Sequence, residues 1–252
     1  LVLLVIGSLA FHWWSPWWFT PIASNWSSID TTIDITFWVT GIVFVAVNLF
    51  MAWAIFRYRF SPSRRAHYEP ENKKLEMWLI GITSVGVAAM LAPGLIVWAD
   101  FIDVPEGADE VEIVGAQWQW SYRLPGVDGK LGAVDSRFVN IDNPFGMSPN
   151  DPAGNDDILI SSNELHLPVD RPVNALLRSK DVLHDFAVPQ FRVKMDLIPG
   201  SVTYVWFTPT RTGKFDLLCM ELCGIGHYAM RGYVVVDTPE DYATWKKKKK
   251  TW

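Results

Sequence analysis

A membrane α-helical hairpin followed by an all-β sandwich is the fold class that this sequence predicts, and three observations predict it. Two uncharged apolar runs of membrane-spanning length lie in its front half. Behind them, short β-branched and aromatic runs alternate with turn residues. The charge divides at the same boundary: residues 1–99 carry five acidic and six basic side chains, residues 100–243 carry 22 acidic and 11 basic. Half of the 252 residues are hydrophobic and 14 are Trp, which excludes a disordered or low-complexity chain. The net charge of −5 argues against nucleic acid, which calls for a basic surface.

Residues 1–29 read as an apolar, Trp-rich N-terminal segment. Leu1 to Phe11 is too short to span a bilayer alone, and Trp13, Trp14, Trp17 and Trp18 suit an interfacial stretch. Part of a third helix and a signal sequence stay open as readings. Residues 30–102 hold the hairpin. The runs 35–56 and 77–99 carry no charge, and a bilayer core needs roughly 20 such residues as a helix. Trp38, Trp53, Trp78 and Trp98 stand near their ends, as interfacial belts require; Pro93 is expected to bend the second run. A pair of buried soluble helices would show a polar stripe instead. Between the runs, Arg57, Arg59, Arg64, Arg65, Lys73 and Lys74 outnumber Glu69 and Glu71. The positive-inside rule therefore places this loop in the cytoplasm. It sends everything after residue 100 to the periplasmic side of a bacterial inner membrane.

Residues 103–245 read as the globular domain. Strand candidates are 111–124, 164–167, 173–177, 202–207, 214–218 and 233–236, with turns at 124–129 and 209–213. Several short strands without helical patterns between them indicate a sandwich or barrel. Residues 142–157 contain three Pro, two Gly, three Asn and four Asp and are expected to be a long surface loop. Residues 246–252 are a Lys-rich tail, solvated or resting on anionic lipid headgroups.

The stretch that carries chemistry is Cys219-Met-Glu-Leu-Cys223-Gly-Ile-Gly-His227-Tyr-Ala-Met230, with His184 standing 35 residues before Cys219. Two thiols, two imidazoles and a thioether form a soft ligand set suited to copper. A disulfide is the first competing reading for two extracytoplasmic Cys, but a bridge across three residues closes a very short loop and stabilises little. A Cys2His2 zinc site would leave Met230 without a purpose, and a mononuclear blue-copper site would leave one Cys over. Two thiolates can instead bridge two coppers that share one electron. His12, His67 and His166 have no partners at useful spacing.

Four segments together are similar to one known family. They are Gln117-Trp118-Gln-Trp120-Ser-Tyr122, Asp181-Val-Leu-His184-Asp-Phe-Ala-Val-Pro189, Lys194-Met-Asp196-Leu-Ile-Pro199-Gly200 and the Cys219–Met230 cluster. Over about residues 30–240 the chain resembles subunit II of the haem–copper oxidases, the cytochrome c oxidase subunit that carries the binuclear CuA centre. The resemblance implies a two-helix membrane hairpin and a cupredoxin sandwich. It implies that Cys219 and Cys223 bridge two coppers, that His184 and Met230 complete one, and that His227 and the Glu221 carbonyl complete the other. It further implies that the Glu221 carboxylate binds magnesium or manganese at the contact with the catalytic subunit, with Asp196 nearby. Trp118 would be where cytochrome c delivers its electron, and Glu76 would open a proton channel of the neighbouring subunit. The bland readings are an acidic loop residue for Glu221, strand packing for Trp118 and a helix N-terminal carboxylate for Glu76.

The resemblance implies partners: a haem-bearing subunit I, cytochrome c or a similar donor, and the lipid bilayer. It also implies a function, electron transfer into a proton-pumping terminal oxidase with no oxygen-reducing site on this chain. A net charge of −11 over residues 100–243 suits a basic donor. Some positions depart from the family pattern. Asp185-Phe186 stands where Ser-Trp is usual, Met220 where a small residue is usual, and Arg231-Gly232 follow Met230. No Cys-x-x-Cys-His is present, so the donor is expected to be a separate protein or another subunit. Rival readings are the copper subunit of a nitric oxide reductase of the same superfamily, a quinol-oxidase subunit without copper, and a copper-storing chaperone.

Overall fold

The computed structural model describes residues 1–15, 20–65, 67–140 and 142–252. Its chain divides into two compact units, one built around Ser28–Trp98 and the N-terminal helix, the other from Thr20–Ser27 with Ala99–Trp252.

The first unit is helical. Helix α1 spans Val2–Trp14, α2 Ser27–Arg57 and α3 Lys73–Ile102. The last two are long and apolar enough to cross a membrane, with mean hydropathies of 2.2 and 2.0. They show no buried stripe, and side chains such as Ile42, Phe50, Val85 and Ile96 point outward, as lipid-facing helices do. Few polar groups interrupt them. In α2, Thr32, Thr36 and Thr40 each return a hydroxyl hydrogen bond to the carbonyl four residues earlier, which satisfies these hydroxyls within the helix. Asn72 caps α3 through a bond from Leu75 N–H, Glu76 sits in its first turn and Pro93 lies inside it. Trp17 and Trp18, expected to continue the N-terminal interfacial stretch, lie outside the described residues.

The second unit is a two-sheet sandwich. Its strands are β1 Asp109–Ala116, β2 Gln119–Leu124, β3 Ile158–Ile160, β4 Glu164–Pro168, β5 Val173–Ser179, β6 His184–Val188, β7 Val193–Leu197, β8 Thr203–Phe207, β9 Gly213–Leu218 and β10 Arg231–Asp237. One sheet runs β3-β2-β1-β5-β8 and the other β4-β10-β9-β6-β7. The β1/β5 and β10/β4 pairs are parallel. Between the sheets Phe186, Phe191 and Phe207 are fully buried, with Phe191 5.1 Å from both Phe207 and Phe215. Each such ring contributes about 1.5–3 kcal/mol.

The strand candidates fall in place, with differences that have physical reasons. The run 111–124 is two strands, because the chain reverses at Gln117 and Trp118 so that Ala116 pairs with Gln119. Residues 142–157 are no simple surface loop: Phe145 and Met147 are buried against Val114. This excursion is pinned from beneath. Buried Arg123 donates to Glu112 at 2.5 Å, to Asp157 at 2.7 Å and to the Gly132 carbonyl at 2.7 Å, while Arg178 reaches Glu112 and the Phe145 carbonyl.

A short segment before α2 and the C-terminal end also join this unit. Residues 20–27 form a strap over it. Ala23 N–H donates to the Gln190 carbonyl at 2.8 Å, Ser24 Oγ to the Phe191 carbonyl at 2.7 Å, and the Trp26 indole to the Trp206 carbonyl at 3.0 Å. At the other end, helix α4 spans Pro239–Lys247. Its Trp245 stacks on His166 at 4.4 Å, and His166 Nδ1 lies 2.6 Å from Asp237. The Lys run is therefore partly structured, with Lys249 over the Trp245 ring.

Candidate metal centre

His184 opens β6, and the loop from Cys219 to Met230 joins β9 to β10. The Ala187–Leu218 pairing of β6 with β9 sets the imidazole beside this loop. Gly115 in β1 leaves room for the ring, since a Cβ there would stand 3.1 Å from His184 Cδ2. Sulfur and nitrogen atoms then converge. Cys219 Sγ lies 3.8 Å from Cys223 Sγ, 3.9 Å from His184 Nδ1 and 3.3 Å from the Glu221 carbonyl. Cys223 Sγ lies 3.5 Å from His227 Nδ1 and 3.8 Å from Met230 Sδ. His184 and the Glu221 carbonyl thus gather around Cys219, and His227 and Met230 around Cys223. Both cysteines are reduced and buried, and His184 and Met230 are buried with them.

The chemistry of this donor set fits a soft cation. Burial pushes the Cys219 thiol up, but its hydrogen bonds with His184 and with the backbone at Asp185 and Glu221 outweigh that and bring it down to about 6. Burial and the neighbouring Cys219 charge push Cys223 up to about 11. Two thiols in contact resist becoming two thiolates unless a cation neutralises them.

His184 is fixed from behind. Asp181 Oδ1 lies 2.8 Å from its Nε2, so an Nε2–H donor leaves Nδ1 facing Cys219 with its lone pair available. Burial opposes the Asp181 charge, yet bonds from Gln117 N–H and His184 hold this carboxyl below its ordinary range. Gln117 N–H donates to Asp181 Oδ2 at 2.7 Å, and Gln117 Nε2 donates to the Cys223 carbonyl at 2.8 Å. The Trp118 indole donates to that same carbonyl at 3.2 Å while 38% of the residue remains exposed. Trp118 thus bridges the surface and a metal-loop cysteine. The loop is cut to receive it, because a Cβ on Gly226 would fall 2.3 Å from Trp118 Cδ2.

Glu221 turns its carboxylate away from the cysteines. Lys194 holds it at 3.2 Å and also lies 3.4 Å from Asp185 and 3.8 Å from Asp196. Asp185 is fully buried and neither carboxylate oxygen makes a hydrogen bond of ordinary geometry. Burial, then Asp196, push it up to about 7. Glu76 is an exposed residue in the first turn of α3. His166 has partners, Asp237 and Trp245, that its sequence context did not announce.

Sequence reasoning missed Gln117, Asp181 and Lys194 as contributors. All three lie in the segments that carry the family resemblance, and the three-residue step from Asp181 to His184 was the available signal. Around the site, Leu222, Ile225 and Tyr228 project from the loop and are at least 80% exposed.

Comparison with known proteins gives concordant matches. The family described as cytochrome C oxidase subunit II, periplasmic domain, matches residues 110–238. The chain is 59% identical over 252 residues to the alternative cytochrome c oxidase subunit 2 of Bradyrhizobium diazoefficiens, covering 100% of this chain and 91% of that one. It is 30% identical over 237 residues to cytochrome c oxidase subunit 2 of Cereibacter sphaeroides, covering 90% and 76%. A solved periplasmic domain of subunit II of cytochrome oxidase from Bradyrhizobium japonicum is 31% identical, covers 57% of this chain and 95% of that one, and superposes with a TM-score of 0.43.

Proposed function

Because the chain belongs to the cytochrome c oxidase subunit II family, we propose that it is the electron-accepting subunit of a membrane-bound terminal oxidase and holds a binuclear copper centre. The observation that carries this is the gathering of two imidazoles, a thioether and a carbonyl around the paired Cys219 and Cys223 thiols, beside a part-exposed Trp. Cys219 and Cys223 as thiolates, His184, His227, Met230 and the Glu221 carbonyl would hold the copper. When bound, the copper pair supplies a site that gains and loses one electron shared over both ions.

The chain's own residues do the rest. The sandwich holds the ligands on one strand end and one loop, so that they need not move between redox states. The Phe-rich core beneath them excludes water. Asp181 keeps His184 in one tautomer. Trp118 offers a donor an exposed aromatic face hydrogen-bonded to the Cys223 carbonyl. The acidic surface steers a basic donor such as a c-type cytochrome, with rates that fall as salt rises. Leu222, Ile225 and Tyr228 give apolar contact to the donor or to the haem-bearing catalytic subunit.

The two apolar helices anchor the subunit, with the basic loop after α2 in the cytoplasm and the sandwich in the periplasm. Electrons leaving the site pass to the catalytic subunit, where O2 reduction is coupled to proton pumping. On this chain Lys194 engages the Glu221 carboxylate, so magnesium or manganese there needs further oxygen ligands from the catalytic subunit. Glu76 would lie at a proton-uptake path of that subunit.

The test is metal analysis and EPR spectroscopy of the purified complex containing the whole chain. Two coppers per chain, with hyperfine splitting from one electron shared equally, are expected. One copper with a blue-copper spectrum, or zinc in its place, overturns the proposal. Turnover with O2 rather than NO as acceptor separates a terminal oxidase from a nitric oxide reductase.

A further inference from the structure

Resting on the reading of Trp118 as the point of electron delivery, we infer that Gln117 is a positioning residue for that delivery, tying the β1–β2 turn that carries the indole to the metal loops at two separate points.

Besides the packing of the indole over Gly224 and Gly226 and its own bond to Cys223, the directed bonds that fix the turn come from Gln117. Gln117 and Trp118 are the two-residue link between β1 and β2, and both are exposed. An aromatic ring on such a link has rotamer freedom unless a directed bond removes it. Gln117 brings two such bonds. Its side-chain amide donates to the Cys223 carbonyl at 2.8 Å and its backbone N–H donates to Asp181 at 2.7 Å. The first bond ends on a cysteine of the metal loop. The second ends on the carboxylate whose other oxygen holds His184 at 2.8 Å. One residue therefore registers the indole against both a sulfur and an imidazole ligand.

The Cys223 carbonyl has two lone pairs and receives two donors, the Gln117 amide and the Trp118 indole. The amide bond is the shorter of the two and holds the carbonyl in the orientation that the indole needs. The loop opposite is shaped for this pair. Gly224 has a φ of +116° and a Cβ on it would stand 2.9 Å from Gln117 Nε2. That backbone conformation and that proximity both favour glycine.

If the side chain could not donate, the carbonyl would keep only the longer indole bond and the ring would gain freedom. In well-positioned chemistry a displacement of about 1 Å costs on the order of 100-fold in rate. A loosened rather than displaced ring corresponds to about tenfold.

The experiment uses Gln117→Met, which keeps length and removes the donor, beside Gln117→Ala, in the assembled oxidase. Biosynthetic 5-fluorotryptophan gives a fluorine resonance for Trp118, assigned by its disappearance in Trp118→Phe. A ruthenium-labelled c-type cytochrome, reduced by a light flash, separates electron delivery to this chain from onward transfer to haem. In both Gln117 variants the Trp118 resonance should shift and broaden, and delivery should slow about tenfold. Onward transfer, copper content and the thermal midpoint should match the parent. An unmoved resonance with unchanged delivery overturns the inference. Loss of copper, or equal slowing of both steps, also overturns it, by showing that Gln117 merely supports the loop. A parent complex without copper overturns the electron-delivery reading instead, and the fluorine resonance still reports on the Gln117 bond.

Discussion

Replacing Gly226 by alanine places a methyl group inside the Trp118 ring system. The new Cβ would lie 2.3, 2.6 and 2.7 Å from Cδ2, Cε3 and Cε2 of the indole, whereas carbon atoms rest at about 3.5–4.0 Å. The backbone is not the obstacle, because Gly226 has φ −91° and ψ 7°, outside the left-handed region that favours glycine. The ring or the loop must therefore yield by about 1 Å. Overpacking of this kind costs about 1–3 kcal/mol. The indole hydrogen bond to Cys223, already at 3.2 Å, would break for about 1 kcal/mol more. The sum is roughly 2–4 kcal/mol, read as a lowered urea midpoint of the globular unit in the detergent-solubilised chain by near-UV circular dichroism. A Trp118→Ala background removes the obstructing ring, so the same glycine change should there cost under about 0.5 kcal/mol. A parent-background cost within that margin, or a loss that persists without the indole, would refute the steric reasoning.

Other parts of the globular unit respond in their own ways. Arg123→Met strands buried Asp157 and leaves Glu112 with Arg178 alone, a loss of about 3–5 kcal/mol; limited proteolysis should cut first within residues 125–157, and an undiminished resistance there counts against the pinning role. Trp26→Ala empties a pocket beside Trp206 and Phe101, whose rings lie 4.7 and 5.0 Å away, and should cost about 3–5 kcal/mol in a denaturant titration. A domain cut at residue 100 should show a similar deficit because it lacks the whole strap. Burial, then the Asp109 charge, push the Tyr242 hydroxyl from 10.0 up to about 12. Its contribution is present in full below pH 10 and is lost as pH rises through about 12. Tyr242→Phe should therefore flatten the alkaline limb of the stability curve in that window, and an unchanged limb speaks against the burial of this hydroxyl.

Much of this architecture was legible because its signals are local. Uncharged runs of spanning length announce α2 and α3, and β-branched runs between turn residues announce β4, β5, β8, β9 and β10. The Cys219–Met230 spacing announces its own chemistry, since all but one of its side-chain donors come from a single loop. Other features have no local signal. His184 and Asp185 open a strand whose polar start hides it, and Lys194 and Asp196 interrupt β7. The hairpin at Gln117 and Trp118 lacks the Gly or Asn that marks a tight turn, so β1 and β2 read as one strand. Phe145 and Met147 sit in a segment with the composition of a surface loop, and only the Arg123 cluster explains why they are buried. Asp181 and Gln117 look like ordinary polar residues until the fold brings them against His184 and Cys223.

The strap at residues 20–27 has a consequence for how the chain is made. Ala23 and Trp26 precede the two long helices, yet their seats at Gln190, Phe191 and Trp206 are synthesised well after those helices. Between them lies the whole hairpin, so the seat can be reached only if the polypeptide crosses a bilayer an even number of times. A nascent chain inserted with a single crossing would leave the strap in one compartment and its seat in the other. That product would carry an open groove at Trp206, a recognisable flaw for quality-control proteases. Strap docking thus couples completion of the sandwich to correct insertion of the helices.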